Sequence, residues 1–402
     1  MTNKMPQTLK GFRDFLPEEA IKREWLRQKM IKIYESWGYE PLETPTLEPL
    51  ELFTGEIGED EKLFFKFTDL GGRQVALRYD QSVPACRVLG QYFDKLNFPF
   101  RRYQIQPAFR AEKPQKGRYR EFVQSDIDIF GIASPLADAE VIAISIDLYL
   151  KLGFKNVVVL INNRDLMKNI PYSAIASVDK LKKIGEKGVI QDMIKKDITK
   201  AQAQIYLNQV QNIKPDETIE TIFEYLKKSG FSERNYQFEP TLARSFSYSQ
   251  GPIWEVTIPG LSGSLGGGER YDGMVKRLTG RDIPATGIGF GFDRTLEAAT
   301  ELKLIPPLNT SSQILVTVFN NQLFESSLKI AQKLRSSNIR AETYPDPNIR
   351  LDKQLKYANK KGIPYVAIIG ENEAKSGEIT LKNLATSDQQ TLSLEKLLQV
   401  LR

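Results

Sequence analysis

The chain has 402 residues, of which 41% are hydrophobic and 26% charged, a composition typical of a globular protein with two or three domains. This composition excludes an intrinsically disordered chain and a collagen-like repeat. The sequence contains no histidine and a single cysteine, Cys86. A histidine base, a Ser-His-Asp triad, a histidine-ligated zinc, an intrachain disulfide and a Cys–Cys metal site are therefore excluded.

No stretch approaches the ~20 consecutive apolar residues that a membrane helix needs, and the first residues, MTNKMPQTLKGFRDFLP, lack the apolar core of a signal peptide. We therefore expect a cytoplasmic protein with no membrane partner. The net charge is +6, and residues 311–402 hold 13 basic and 9 acidic residues, a net +4. This distribution favours a polyanionic partner, although a solvated charged surface would give the same pattern.

The first part of the chain has the pattern of an antiparallel α+β domain. Helical spacing predicts a helix over residues 19–37, which Gly38 ends. The two prolines of residues 38–45 predict an extended segment that is either an edge strand or a chain crossing an interface. A second helix is predicted over residues 136–152. Short β-like runs are found at residues 63–69, 74–78, 102–110 and 121–131.

The rest of the chain predicts an insertion and a separate C-terminal domain. Residues 165–232 are rich in Lys, Gln and Ile with helical spacing, and strand-like sequence resumes near Tyr236 and at 251–258. Beyond a Pro-, Asn- and Ser-containing break, strands and helices alternate, which predicts an α/β domain with a largely parallel sheet. The predicted parts are a catalytic domain at 1–164 and 233–304, a helical insertion at 165–232, a linker at 305–312 and a C-terminal domain at 313–402.

Residues 109–124 combine a basic loop with two flanking strands. Arg110 ends the first strand and Phe122 begins the second, so the two side chains are placed to share one face of a hairpin. An arginine and an aromatic ring on one face suit a phosphate clamp and a surface for base stacking. An exposed basic hairpin without such a role is the alternative.

Two glycine-rich segments indicate places where the backbone itself lines a site. Residues 263–273 are rich in glycine, which has no side chain, and their second half contains Arg, Tyr and Asp. This pattern is typical of a small-molecule pocket or of a flexible surface turn. In residues 286–294 glycine alternates with apolar residues, so one face of this strand carries no side chains and a flat or bulky group is expected against it. Arg294 opens the following helix toward the same region. The lack of regular βαβ repetition argues against a dinucleotide-binding fold.

Three ordered segments resemble the three motifs of class II aminoacyl-tRNA synthetases. Residues 38–45 are similar to motif 1, the basic hairpin to motif 2, and GIGFGFDR at 287–294 to motif 3. Further segments narrow the resemblance to the histidyl-tRNA synthetase family, and an α/β domain similar to an anticodon-binding module follows them. These segments are GFRDFLP at 11–17, LRYDQSVPACR at 77–87, EKPQKGRYREF at 112–122 and GGGERYDG at 266–273.

The resemblance implies a class II catalytic domain with an antiparallel sheet and a two-step ligase reaction. ATP and L-histidine form histidyl-adenylate, and tRNA(His) then accepts the histidyl group, with Mg²⁺ as the cofactor that accompanies ATP. Neither step needs a nucleophile from the protein, which suits a chain without histidine. By motif position the catalytic arginines are Arg110, Arg244 and Arg294. The ATP-binding residues are Arg110, Glu112, Phe122 and Arg294, and the tRNA acceptor end is contacted by Lys113, Gln115 and Lys116.

The resemblance also assigns a pocket for the amino acid, with no metal among its ligands. Asp80, Ser82 and Gln124 are expected at the α-amino group and Asp128 at the imidazole N–H, since a carboxylate accepts hydrogen bonds only. The full set of histidine-binding residues is Asp80, Ser82, Arg110, Gln124, Asp128, Arg244, Tyr248, Ser249 and Tyr271.

The sequence departs from its family at two places in this pocket. The family usually has a run Arg-Gly-Leu-Asp-Tyr-Tyr-Thr-Gly where this chain has residues 244–251, and Ser249 replaces the second tyrosine. Glu269 stands where a glycine is common. Both departures bear on the shape of the histidine side-chain pocket more than on ATP binding.

Two alternatives to a working ligase remain at this point. One is a non-catalytic synthetase-like subunit of the kind that partners ATP phosphoribosyltransferase, and the other is a tRNA- or RNA-binding paralogue without activation chemistry. Retention of Arg110, Glu112, Phe122 and Arg294 and the presence of a C-terminal domain favour the ligase. A homodimer formed through the motif 1 region is expected from the family.

Overall fold

The computed structural model describes residues 5–54, 63–114, 118–243 and 250–402. The chain divides into two compact units. The larger comprises Met1–Asp14 and Leu26–Leu304, and the smaller comprises Phe15–Trp25 and Ile305–Arg402. Within the described ranges, no helix has both the length and the apolar composition needed to cross a bilayer.

The larger unit is built on a sheet that has eight strands among the described residues. The strands of this unit are β1 (Glu40–Pro41), β2 (Leu47–Pro49), β3 (Lys66–Thr68), β4 (Gln74–Leu77), β5 (Phe100–Phe109), β6 (Glu121–Phe130), β7 (Val158–Asn163), β8 (Tyr236–Phe238), β9 (Gln250–Thr257), β10 (Gly266–Arg270) and β11 (Ala285–Gly291). The order across the large sheet is β1-β5-β6-β11-β10-β9-β7-β8, and β2, β4 and β3 form a separate small sheet.

The large sheet is antiparallel except at its edges. All pairings from β5 through β7 are antiparallel, while β1 joins β5 and β8 joins β7 in parallel. The prediction of an antiparallel α+β domain is therefore confirmed. The segment after Gly38 contributes only the two-residue edge strand β1, as its prolines predicted.

Helices of the larger unit cover the sheet and build its flanks. They are α1 (Pro17–Ser36), whose residues from Leu26 onward belong to this unit, α2 (Ser82–Tyr92), α3 (Pro135–Lys151), α4 (Tyr172–Val178), α5 (Leu181–Ile194), α6 (Lys200–Gln211), α7 (Glu217–Lys228), α8 (Asp272–Thr279) and α9 (Phe292–Glu301). Helices α4 to α7 with their turns make up residues 172–228, and α4 to α6 share a core with Leu160 and Ile253 of the sheet.

One face of the large sheet is apolar and packs against α1 and α3. Tyr34 of α1 lies against Tyr103 of β5 and Phe290 of β11, with ring centroids 5.7 and 6.2 Å apart. Tyr149 of α3 contacts the same Phe290 at 6.0 Å. Since successive side chains of a strand point to opposite faces, the residues between these positions face away from α1 and α3. That second face carries the polar side chains of the sheet.

The smaller unit holds a five-stranded sheet flanked by helices. Its strands are β12 (Ile314–Val316), β13 (Ala341–Thr343), β14 (Tyr365–Ile368), β15 (Ile379–Asn383) and β16 (Gln389–Leu392), and its helices are α10 (Phe324–Ser336), α11 (Leu351–Lys361), α12 (Glu371–Ser376) and α13 (Leu394–Leu401). The prediction of a largely parallel sheet holds only for β13, β12 and β14. The β14–β15 and β15–β16 pairings are antiparallel; the first connection contains only the short helix α12 and the second is a turn, and neither is long enough for a parallel crossover.

Candidate active site

The polar face of the large sheet brings three neighbouring strands into register. On β5 and β6, Arg102 pairs with Asp128, Gln104 with Asp126, and Gln106 with Gln124. On β11, the glycines at 287, 289 and 291 stand opposite Asp128, Asp126 and Gln124. Paired residues in a sheet project from the same face, so two rows of polar side chains, one on β5 and one on β6, lie beside a row of glycines on β11.

The glycines of β11 are required by the side chains that approach them from β6. A Cβ atom on Gly287 would overlap the carboxylate of Asp128, and one on Gly289 would lie 2.9 Å from Nε2 of Gln124. The alternating glycines therefore do face bulky groups, as expected, and those groups include side chains of the neighbouring strand. The missing side chains at 287 and 289 make room for Asp128, Gln124 and Asp126 of β6.

Asp128 lies on this face beside two buried side chains, those of Arg102 and Tyr271. Its Oδ2 is 2.6 Å from Nη2 of Arg102, and its Oδ1 accepts a short hydrogen bond from the hydroxyl of Tyr271. Burial raises the pKa of Asp128, with Arg102 opposing this shift, and also raises the pKa of Tyr271 well above its usual value. The carboxylate is thus held rigidly by an ion pair and a hydroxyl donor.

Asp80 and Ser82 lie at the beginning of α2. Oδ1 of Asp80 accepts the backbone N–H of Val83 at 3.2 Å, and burial raises the pKa of this carboxyl. The intervening Gln81 donates from Nε2 to the carbonyl oxygens of Gln106 and Gln124 at 2.8 and 3.0 Å. These two bonds hold the start of α2, next to Asp80, against β5 and β6 at Gln106 and Gln124.

Arg110 and Phe122 come together as the hairpin pattern predicted. The guanidinium carbon of Arg110 lies 5.0 Å from the ring centroid of Phe122 and 4.3 Å from that of Tyr79. Nε of Arg110 is buried and has no hydrogen-bond partner among the described residues. A buried donor without a partner is costly, so this guanidinium is poised for an anionic ligand.

The structure describes only some of the other residues that the sequence assigned to the site. Glu112 forms an ion pair of 3.4 Å with the exposed Arg118, and Lys113 is exposed. Arg294, in the first turn of α9, donates from Nη1 to the carbonyl oxygen of Ser264 at 2.8 Å. Five predicted residues lie outside the described ranges: Gln115, Lys116, Arg244, Tyr248 and Ser249. Glu269, the second departure from the family pattern, is buried on β10 opposite Gly287.

Four residues of this region were not identified from the sequence: Arg102, Asp126, Asp293 and Arg13. Asp293 accepts the backbone N–H of Val123 at 2.9 Å and pairs with Nη2 of Arg13 at 3.0 Å, and the guanidinium carbon of Arg13 lies 3.3 Å from the ring centroid of Tyr119. These contacts hold the segment around Arg13 against the hairpin of residues 109–124. Arg102 and Asp126 had one available signal, the polar alternation of residues 102–106 and 124–128 within otherwise apolar strands.

Comparison with known proteins matches both parts of the chain. The family description "Histidyl-tRNA synthetase" matches residues 11–211 and 193–294, and "Anticodon binding domain" matches residues 313–402. The chain belongs to the histidyl-tRNA synthetase family. This confirms the resemblance to histidyl-tRNA synthetases, and the large antiparallel sheet agrees with the solved structures of class II histidyl-tRNA synthetases.

Relatives align over nearly the whole length. A histidine–tRNA ligase of Cytophaga hutchinsonii is 33% identical, with 98% of this chain and 99% of the relative covered. One of Rhodopirellula baltica is 35% identical, with 96% and 95% covered. The crystal structure of histidyl-tRNA synthetase from Nostoc sp. PCC 7120 superposes with a TM-score of 0.86 at 27% identity, covering 99% of both chains.

Proposed function

We propose that the chain is an ATP-dependent histidine–tRNA ligase. The observation that carries this proposal is the arrangement along one sheet face. A rigidly held carboxylate, Asp128, lies at one end, and the guanidinium of Arg110, whose Nε has no partner among the described residues, lies at the other. The first group suits an imidazole N–H and the second suits a phosphate. The full-length relatives named histidine–tRNA ligase support the same activity.

In the proposed first step, a carboxylate oxygen of histidine attacks the α-phosphorus of ATP and the bond to the bridging oxygen breaks. Pyrophosphate leaves and histidyl-adenylate remains. Arg110 and Arg244 would neutralise charge on the α-phosphate, Arg294 would contact the γ-phosphate, and Phe122 would stack on adenine with Glu112 nearby. These arginines act by position and charge, since no protein group gains or loses a proton in this step.

Mg²⁺ is proposed to enter with ATP. The described residues contain no group of three His, Cys, Asp or Glu side chains that could hold a metal. A nucleotide-bound Mg²⁺ takes most of its ligands from phosphates and water and needs only one or two carboxylates. When bound, the ion would neutralise charge on the leaving pyrophosphate.

Recognition of histidine is proposed to use both ends of the polar face. Asp128, supported by Tyr271, would accept the imidazole N–H, and Asp80, Ser82 and Gln124 would bind the α-amino end. Tyr248 and Ser249 are assigned to the same pocket by motif position. An apolar isostere would leave Asp128 buried without its ligand, which disfavours such competitors by about 1–3 kcal/mol or more.

In the second step the 3′-terminal adenosine hydroxyl of tRNA(His) would attack the acyl carbon and AMP would leave. Lys113, Gln115 and Lys116 would contact the acceptor end, and the net positive domain at 313–402 would bind the anticodon region. The domain division proposed from the sequence, with the insertion at 165–232 and the linker at 305–312, is retained. We also propose a homodimer in the cytoplasm.

The proposal is tested by ATP–pyrophosphate exchange with each of the twenty amino acids. Exchange that depends on histidine supports the ligase, exchange with another amino acid reassigns the substrate, and no exchange favours a non-catalytic paralogue. Arg110→Lys keeps the charge but loses the bidentate fork, so exchange should fall about 10²- to 10³-fold. Arg73→Lys on an exposed turn is the matched control, and near-normal exchange by R110K would contradict the clamp role.

A further inference from the structure

Arg102 of β5 is a fully buried cation on the polar face, and the mechanism proposed above gives it no role. It is paired in register with Asp128 of β6, and its Nη2 lies 2.6 Å from Oδ2 of that carboxylate. An arginine does not lose its proton in proteins, so a permanent positive charge lies beside Asp128. Among the described residues, Asp128 is the one partner with which Arg102 forms an ion pair.

Hydrogen bonds along β5 fix the position of this guanidinium. Its Nη1 donates to Oε1 of Gln104 at 3.0 Å. Nε2 of Gln104 donates in turn to Oγ1 of Thr44 and to Oε1 of Gln106, at 2.8 and 2.6 Å. The guanidinium therefore cannot turn toward another carboxyl group without breaking a buried network.

The charge of Asp128 decides which hydrogen bond it can form with a ligand. As a carboxylate it only accepts, whereas a protonated carboxyl group also presents an O–H donor. Burial raises the pKa of Asp128, and the charge of Arg102 and the hydroxyl of Tyr271 oppose this shift. Protonation of Asp128 would leave a buried cation without its counter-ion, so the ion pair favours the carboxylate.

Other titratable groups also face this pair. Burial is the main reason why the pKa of Asp126 is raised to about 8, so this neighbour is largely uncharged at pH 7. Burial raises the pKa of Asp80 as well. The complete set of facing groups is Asp126 of β6, Asp80 and Cys86 at α2, Tyr271 after β10 and Tyr39 after α1, with Arg110 facing Asp80 and Arg78 facing Asp126.

We propose that Arg102 is a positioning residue that keeps Asp128 ionised and fixed in orientation, so that the site accepts a hydrogen bond from the imidazole N–H of the amino acid. This inference rests on the proposed function, because it takes Asp128 as the group that meets the imidazole. Without Arg102, Asp128 becomes a neutral acid at pH 7 and the charged acceptor is lost. Recognition of the imidazole then depends on pH.

The test compares the KM for histidine in ATP–pyrophosphate exchange between variant and wild type from pH 7 to pH 8.5. The ratio of the two values is used because the ionisation of histidine itself cancels in it. For Arg102→Met we expect a ratio of about 10 to 100 at pH 7, the range for a hydrogen bond to a charged group. The ratio should fall about three- to tenfold per pH unit as Asp128 loses its proton.

Arg101→Met is the matched control on the same strand. Arg101 faces the other side of β5 and pairs with Glu140 at 2.7 Å, so its ratio should stay near one at every pH. A ratio for Arg102→Met that does not change with pH would show a purely structural role and would overturn the inference. The pH dependence should persist in an Asp126→Asn background, and its loss there would assign the titration to Asp126 instead.

Two further measurements do not depend on the folding of Arg102→Met, which thermal unfolding checks. Arg102→Lys keeps a cation and should give a ratio that is independent of pH, and a ratio that falls as in Arg102→Met would contradict a role of the charge. Infrared difference spectra of wild type against Asp128→Asn at pH 7 should show a carboxylate band, and a carboxylic acid band would overturn the inference. These spectra need no activity, so failure of the proposed function is seen separately, as wild-type protein without histidine-dependent exchange.

Discussion

The three glycines of β11 allow a graded test of the polar face. A side chain added at Gly287, Gly289 or Gly291 would project from the same face of β11, and alanine at each position adds one methyl group. At 287 the added Cβ would overlap the carboxylate of Asp128 and lie 2.7 Å from the carbonyl oxygen of Ile127. At 289 it would lie 2.9 Å from Nε2 of Gln124, and at 291 its nearest contact is 3.4 Å, an ordinary van der Waals distance.

The expected effects follow from what must move. Gly287→Ala can be accommodated only if Asp128 rotates away from Arg102 or the strands separate, and breaking a buried ion pair costs about 3–5 kcal/mol. Gly289→Ala requires a shift of a few tenths of an ångström, with an overpacking cost of about 1–3 kcal/mol. Gly291 has a negative φ of −72°, so alanine there should change the free energy of unfolding by less than about 0.5 kcal/mol.

The assay combines urea unfolding with the KM for histidine in ATP–pyrophosphate exchange. The free energy of unfolding should fall in the order G291A, G289A, G287A, and the KM should rise about tenfold or more in G289A, because Gln124 and Asp126 are displaced. A G287A protein with wild-type stability and KM would refute the packing of Asp128 against β11. Equal effects at 287 and 291 would show that loss of glycine itself, rather than the contact, is responsible.

Three further predictions concern other parts of the molecule. Arg13→Ala removes the ion pair to Asp293 and the contact with Tyr119, so the KM for ATP in exchange should rise about three- to tenfold with an unchanged KM for histidine; equal changes in both would contradict a hairpin-positioning role. The native Asp126 carboxyl keeps its proton at pH values where the unfolded chain loses it, so wild-type stability should fall relative to Asp126→Asn by up to about 1.4 kcal/mol per pH unit between pH 4 and pH 8; parallel urea-denaturation profiles at pH 5, 6, 7 and 8 would disprove the raised pKa. Removing residues 313–402 should lower tRNA charging more than exchange, which also reports the fold of the remaining chain, and equal losses would argue against a tRNA-binding role for this domain.

Local elements and their chemistry could be predicted from the sequence. Gly38 and two prolines predicted where α1 ends and why the next segment contributes only an edge strand. The basic hairpin was predicted to bring Arg110 and Phe122 together, and it does. These features depend on backbone conformation and on residues close in sequence, which is why the pattern alone was sufficient.

The choice of partners for the buried charges required the tertiary structure. The pairing of Arg102 with Asp128, and the position of Asp126 over the glycine row, depend on the register between strands, and a shift of one residue would send these side chains to the other face. The ion pair between Asp293 and Arg13 joins residues that are 280 positions apart in the sequence, so it also depends on the tertiary structure. In the C-terminal domain the last two strands pair antiparallel, which the alternation of elements did not predict.

The absence of histidine from the sequence is sufficient to exclude imidazole chemistry by the protein, and the motifs indicate a reaction that needs only positioned arginines and carboxylates. The sequence by itself thus determined the family, the kind of chemistry and most of the elements. Only the tertiary structure decided that Asp128 is paired with Arg102 while Asp126 faces the glycine row, because burial and strand register set the partners of a charge and neither is encoded locally.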